Sequence, residues 1–379
     1  MNSQRIRERM ACTSVSRKDT VKFTRLGTVS IIAMTSALTL AACVPAPVGD
    51  GTGLSGTIIG AGASSQQSAQ ESWVRGFQLA NVAATVEYDP IGSGGGRDTF
   101  VGGGAVFAAS DRAFTIEEIA EEEFVSCVPG TGILEIPAYI SPIAIIFNLD
   151  GVDSLNLDAA TIAGIFTREI SRWDDPAIAD QNPTAELPSQ RITAVHRADD
   201  SGTTANFTSY LAEAAPDAWS VGSIEKWPLE FGGEAAPQTS GVVDAVTNGT
   251  GTIGYADASR AGDLGTVAVK VGEEYVSYSP EAAAAIVDVS PFGEGRGPTD
   301  FAVEIDRAST AAGVYPVVLI SYLIACNEYL DNDRVDVIRG YLDYVISPEG
   351  QQAAAAGAGS APISQRLFEK ANAAVAAIK

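Results

Sequence analysis

Four short turns in this sequence carry small hydroxyl or glycine residues, two of them with charged side chains: Gly60-Ala61-Gly62-Ala63-Ser64-Ser65, Ile91-Gly92-Ser93-Gly94, Ser110-Asp111-Arg112, and Arg197-Ala198-Asp199-Asp200-Ser201-Gly202-Thr203. Each stands where an apolar, strand-like run gives way to a helix-like one. A helix N-terminus has unpaired N–H groups and a partial positive charge, so it suits an anion. Glycine admits close backbone approach, and Ser or Thr adds hydroxyl donors. One such turn is weak evidence, because Gly/Ser segments are commonly plain loops. Four of them in one chain, one with an arginine, point to a shared anion site.

Arg197 supplies a fixed cation with a bidentate fork, and Asp199 stands two residues on, where it can hold the guanidinium. A solvated loop ion pair fits the same two residues. Asp111 is the more informative acid. A carboxylate facing an anion repels it unless the anion brings a proton to share. Near neutral pH phosphate carries at least one proton and sulfate carries none, so an acceptor-only Asp111 admits the first and rejects the second. A helix cap after a strand is the alternative role for Asp111.

The elements that must hold these turns follow an alternating plan. Residues 57–59 read as a strand before the first turn, 82–88 as a strand before the second, and 105–109 as a strand before the third, with a helix after each. That is the pattern of a sheet covered by helices on both faces, an α/β fold. Residues 136–149 form a long apolar run broken by Pro142, read as strands that cross between two lobes. Residues 159–166 read as a helix, and Asp175-Pro176 caps the next one. Residues 192–195 form a buried strand entering the fourth turn, 204–212 a helix, and 251–255 a short strand. A second long apolar run, 314–325, reads as the return crossing. Helices are expected over 335–346, 351–358 and 367–378.

The turns around Ser64, Ser93, Asp111 and Arg197 stand in the order seen in periplasmic-type phosphate-binding proteins, and the chain resembles that family from residue 56 onward. Arg172-Trp173-Asp174-Asp175-Pro176-Ala177-Ile178, Leu187-Pro188-Ser189-Gln190, Phe207-Thr208-Ser209-Tyr210-Leu211, Ile253-Gly254-Tyr255 and Leu342-Asp343-Tyr344-Val345 fit as well. The resemblance implies a two-lobed binding protein with two chain crossings, a ligand cleft between the lobes, and service to an ATP-driven importer with permease and ATPase subunits. It implies phosphate contacts from Ser64, Ser65, Ser93, Asp111, Arg197, Ser201, Gly202 and Thr203, with Asp199 supporting Arg197. The first lobe is expected over residues 56–138 and 313–379, the second over 139–312. Ser64 stands where Thr is common in the family and Ser65 where an aromatic is common, which leaves that wall of the cleft more open. Asp200 replaces a usual glycine, and its charge either weakens the site or points outward.

The N-terminus has its own logic. Residues 1–42 carry seven basic and two acidic side chains, and residues 26–40 are an uncharged apolar run. At about 1.5 Å per residue that run falls short of a bilayer core. It reads as a secretory leader. The leader ends in Leu40-Ala41-Ala42-Cys43, which resembles the cleavage box of bacterial lipoproteins and implies lipid on Cys43, a tether over 43–55, and a place on the outer face of the cell membrane. In that oxidising setting Cys127 and Cys326 favour a disulfide, two buried thiols being the alternative.

Without its leader the body holds 17 basic and 45 acidic residues, a net charge of −28, which excludes a nucleic-acid partner. Over distances beyond about 8 Å salt screens these surface acids, so local dipoles and one arginine decide anion binding inside a cleft. With one histidine, His196, and two body cysteines, no zinc site of the usual kind can be assembled, and no cofactor or catalytic residue is expected. A hydrolase is the main rival from another class, yet no Gly-x-Ser-x-Gly elbow occurs and His196 fits a structural place before Arg197. A receptor for sulfate, molybdate or tungstate is the other alternative, against which Asp111 argues.

Overall fold

The computed structural model describes residues 53–379. The leader, Cys43 and the tether up to residue 52 lie outside the described residues. From Ser55 strand and helix alternate: β1 (Ser55–Gly62), α1 (Gln67–Ala80), β2 (Ala83–Asp89), α2 (Ser93–Val101), β3 (Phe107–Ser110) and α3 (Ile116–Glu121). Next come β4 (Ile133–Asn148), β5 (Ser154–Leu157), α4 (Ala159–Phe166), α5 (Pro176–Ala179), β6 (Thr193–Arg197), α6 (Gly202–Ala214), β7 (Glu234–Ala236) and α7 (Gln238–Asn248). The rest is β8 (Thr252–Asp257), β9 (Gly265–Val271), β10 (Glu274–Val276), α8 (Pro280–Val289), β11 (Val318–Cys326), α9 (Val335–Ile346), α10 (Pro348–Ala358) and α11 (Gln365–Ala376).

The strands form a curled mixed sheet in two halves. β1 lies between β2 and β3 and runs parallel to both, and β11 pairs antiparallel with β3 and β4. In the other half β8 pairs antiparallel with β4 and parallel with β6, which is parallel to β7. β4 belongs to both halves. The expected separate strands over 136–149 are one strand of 16 residues, nearly all buried, as its apolar sequence demands. It pairs with β11 up to Pro142 and with β8 from Ile143. Proline lacks an N–H, and here it stands where one ladder ends and the other begins, so the strand continues through it.

Apolar packing secures each half. Trp73, Phe77, Phe107 and Tyr341 are buried beneath α1 and α9, and the Tyr341 ring meets Phe77 edge-on at 5.4 Å. In the second half Phe207 of α6 stacks on Tyr255 of β8 at 4.3 Å. Tyr255 also fixes the start of α6, because its hydroxyl lies 2.8 Å from Thr204 Oγ1 and accepts from the Arg197 N–H at 3.4 Å. After α8, residues 291–305 return to the first half. There the Glu135 N–H donates to Thr299 O at 3.1 Å and the Phe301 N–H to Glu135 O at 3.0 Å. Cys127 and Cys326 form a disulfide with their Cα atoms 5.2 Å apart, joining the loop before β4 to the end of β11.

Candidate functional site

The four turns meet at the carboxyl ends of parallel strands, where open α/β sheets place their ligands. β1 delivers Ser64 and Ser65, which form a short helical turn ahead of α1. β2 leads to α2, whose first residue is Ser93, and Asp111 directly follows the end of β3. From the second half, β6 delivers Arg197, and Ser201 caps α6 through a 3.1 Å bond from the Thr204 N–H. Ser64, Ser65, Ser93, Asp111, Arg197, Ser201 and Thr203 are all buried, although they lie far apart in sequence.

Their contacts run between segments. The Asp111 carboxylate accepts from the Ser65 hydroxyl at 2.7 Å and from the Thr203 hydroxyl at 2.9 Å. The Asp111 N–H donates to Ser93 Oγ at 3.1 Å. Burial pushes the Asp111 carboxyl above its ordinary range, against hydrogen bonds from Ser65, Ser321 and Thr203 and the charge of Arg197. Arg197 donates from Nε to Asp199 Oδ1 at 2.8 Å and from Nη2 to Asp199 Oδ2. Burial alone would raise the Asp199 carboxyl, but Arg197 and the Gln238 amide hold it below the usual value. The paired oxygens give the guanidinium one orientation, as a bidentate fork requires.

Glycine permits this closeness. A Cβ on Gly202 would lie 2.5 Å from Ser93 Oγ and 2.7 Å from Asp111 Cβ. Gly92 has φ +98°, and a Cβ there would meet Asp199 Oδ2 at 2.5 Å. Larger residues at either place would push the α6 turn away from α2 and β3.

Two departures noted in the sequence resolve in the structure. The Asp200 carboxylate turns away from the site to Lys226 Nζ at 2.8 Å, with Lys226 exposed. Ser65 is 1 % exposed and spends its hydroxyl on Asp111, so that wall is filled by a hydrogen bond where an aromatic ring is common. His196 is structural: it stacks on Trp227 at 5.0 Å, and its Nδ1 lies 2.9 Å from Arg197 O.

Sequence reasoning missed three contributors. Asn206, one turn into α6, donates to Asp111 O at 2.6 Å and Gly202 O at 2.9 Å. Glu225 accepts from Arg97 Nη2 at 2.9 Å and 2.7 Å and from Arg112 Nε at 2.8 Å, and its carbonyl accepts from the Ser201 N–H at 3.2 Å. The start of α7 is the third: the Gln238 N–H donates to Asp199 Oδ1 at 2.8 Å, and the Thr239 N–H to Ser64 Oγ at 3.0 Å. A signal for α7 was present, since Ala236-Pro237-Gln238-Thr239-Ser240-Gly241 is another short strand running into a small polar turn.

Chemically, this is a cluster of hydroxyls, helix N-termini and an oriented arginine, in which the Asp111 carboxylate accepts from hydroxyls while Asp199 pairs with Arg197. Among the described residues no group of three or more His, Cys, Asp or Glu is placed to hold a metal ion. Among the same residues no helix is long and apolar enough to cross a membrane.

Residues 48–349 match the PBP superfamily domain. The phosphate-binding protein PstS3 of Mycobacterium bovis (strain BCG / Pasteur 1173P2) is 31 % identical over 297 residues, which covers 76 % of this chain and 78 % of that one. PstS2 of the same organism is 29 % identical over 378 residues, 94 % of this chain and 100 % of the other. Among solved structures, a high-affinity periplasmic phosphate-binding protein bound with phosphate superposes with a TM-score of 0.68 at 21 % identity, covering 84 % of this chain and 93 % of that one. That likeness is one of fold, a two-lobed α/β architecture.

Proposed function

The chain belongs to the PstS-type phosphate-binding proteins of the PBP superfamily, and from that membership we propose that it captures inorganic phosphate outside the cytoplasm and delivers it to an ABC-type phosphate importer. The observation that carries this reading is Asp111, a buried carboxylate surrounded by donors. An anion with a proton to share satisfies it, and a fully deprotonated one does not. The role is binding, not catalysis.

In this reading phosphate oxygens accept from the Ser64 and Ser93 hydroxyls, the Ser65 amide, the Arg197 guanidinium, and the Ser201, Gly202 and Thr203 turn at the start of α6. Asp111 accepts the phosphate proton, and Asp199 keeps Arg197 aimed. The lobes are assigned as residues 56–138 with 313–379, and 139–312, with 291–305 docked back on the first. Closure brings Ser64, Ser93 and Asp111 against Arg197 and Ser201.

Cys43 is assigned as the lipidated first residue of the mature chain, holding the body to the outer face of the cell membrane by the tether 43–55. Labelling with palmitate that persists in Cys43→Ser would remove this anchor. The importer's permease and ATPase subunits are the protein partners.

The test of the main reading is calorimetric titration of the purified, ligand-stripped chain with phosphate and then sulfate. Tight one-to-one phosphate binding without sulfate heat is expected. Absence of phosphate binding, or equal response to both ions, overturns it.

A further inference from the structure

Ser64 raises a question of hydrogen-bond supply that its own segment does not answer. A serine hydroxyl has one proton to give and two lone pairs to fill. Ser64 Oγ accepts the Thr239 N–H at 3.0 Å and lies 3.0 Å from the Thr239 hydroxyl. If Ser64 donates to Thr239, its only proton is spent and it offers the anion nothing. If Thr239 donates to Ser64, both lone pairs of Ser64 are filled and its proton is left to point elsewhere. With an oxyanion in the pocket the second arrangement wins, because a hydrogen bond to an ionised acceptor is roughly twice as strong as one to a neutral hydroxyl.

We propose that Thr239 is a positioning residue of the anion site, whose N–H and hydroxyl together turn the Ser64 proton onto the bound oxyanion. The inference rests on the phosphate-binding reading above. Two further features of α7 support it. Thr239 is 3 % exposed, and it reaches Ser64 from the other half of the sheet across 175 residues of sequence. The residue before it, Gln238, has φ +59°, a left-handed conformation that a non-glycine side chain rarely adopts. That backbone aims two successive amides in different directions, Gln238 at Asp199 and Thr239 at Ser64. The first turn of α7 therefore links the carboxylate that orients Arg197 to the hydroxyl on the opposite wall. It also fits the smaller residue at position 64: serine lacks the methyl that fixes a threonine rotamer, and the two bonds from Thr239 fix it instead.

The test is phosphate affinity of the full chain, measured by calorimetry, for Thr239→Val, Thr239→Ser, Ser64→Ala and the Ser64→Ala/Thr239→Val double variant. Valine keeps the shape and removes the hydroxyl donor. Losing one hydrogen bond to the anion corresponds to about tenfold weaker binding. Thr239→Val and Ser64→Ala should each bind about tenfold more weakly than the parent, and Thr239→Ser within about twofold of it. The double variant should bind like Ser64→Ala alone, because Thr239 acts through Ser64. A double variant whose loss is the product of the two single losses overturns the proposal, as does Thr239→Val binding at parental strength. If Thr239→Val does not fold, Thr239→Ala takes its place in the same cycle. A parent chain that fails to bind phosphate at all would sink the functional reading instead, so the two failures are distinguishable.

Discussion

Replacing Asp111 with asparagine isolates the carboxylate with almost no change of shape. In the native site its two oxygens accept from Ser65 at 2.7 Å and Thr203 at 2.9 Å, and the side chain is 2 % exposed. Asparagine keeps one acceptor oxygen, so one of these hydroxyls must turn toward the ligand, and the new NH₂ group donates where the carboxylate accepted. For phosphate the change removes a charge-assisted bond from its proton, worth about 1.5–3 kcal/mol. That corresponds to roughly 10- to 100-fold weaker binding. For sulfate it removes the repulsion of an unshared carboxylate and adds donors, so affinity should rise. Sites that discriminate by a buried polar partner reach ratios of about 10⁴–10⁵, and in Asp111→Asn the phosphate-to-sulfate ratio should shrink by at least about tenfold. Competition calorimetry with both ions measures it. The pH dependence is a second check. Because burial raises the Asp111 pKa, the acceptor role is present above that raised value and is lost as pH falls through it. The selectivity of the parent should therefore decline in acid, while that of Asp111→Asn stays flat. A ratio unchanged by the substitution would refute the proton-acceptor argument.

Three other expectations rest on separate features. Glu225→Gln removes the charge shared by Arg97 and Arg112 and should weaken phosphate binding about tenfold through faster dissociation; stopped-flow rates showing only a slower association would contradict this. Replacing Cys127 and Cys326 by serine opens a loop spanning 199 residues, for which chain entropy gives about 5 kcal/mol as an upper figure and 2–5 kcal/mol is usual. Denaturant unfolding should show that loss while phosphate affinity stays the same. Glu135 is fully buried on β4, and Arg296 gives its 2.7 Å contact to Asp300 and only 3.5 Å to Glu135. Burial, helped by the Asp300 charge, pushes Glu135 from 4.5 up to about 8. Its raised value means the native state holds the proton, so that stability is full below 4.5 and is lost as pH rises through about 8. At about 1.4 kcal/mol per unit the loss is a few kcal/mol. Glu135→Gln should flatten the fall in denaturation midpoint across this range, and equal slopes for both proteins would rule out the buried proton.

Local chemistry in the sequence carried a good part of this protein. The helix at Ala159–Phe166 and the Asp175-Pro176 cap were readable because apolar spacing, caps and proline act within a few residues. The four Gly/Ser turns were readable for the same reason: each marks a strand end and a helix start whatever lies around it. Tertiary structure decided what those turns meet. Asp200 faces Lys226 rather than the anion pocket, and nothing within its own turn determines that direction. The unbroken course of β4 through Pro142 depends on β11 and β8 arriving from more than 100 residues away. Thr239, Asn206 and Glu225 joined the site only because the curled sheet brings α7, α6 and the residue 225 loop against β1, β3 and α2. Capping and turn formation are settled by neighbours in the chain. Strand partners and the aim of a buried side chain are settled by which distant surfaces bury one another, and that balance is struck only in the folded whole.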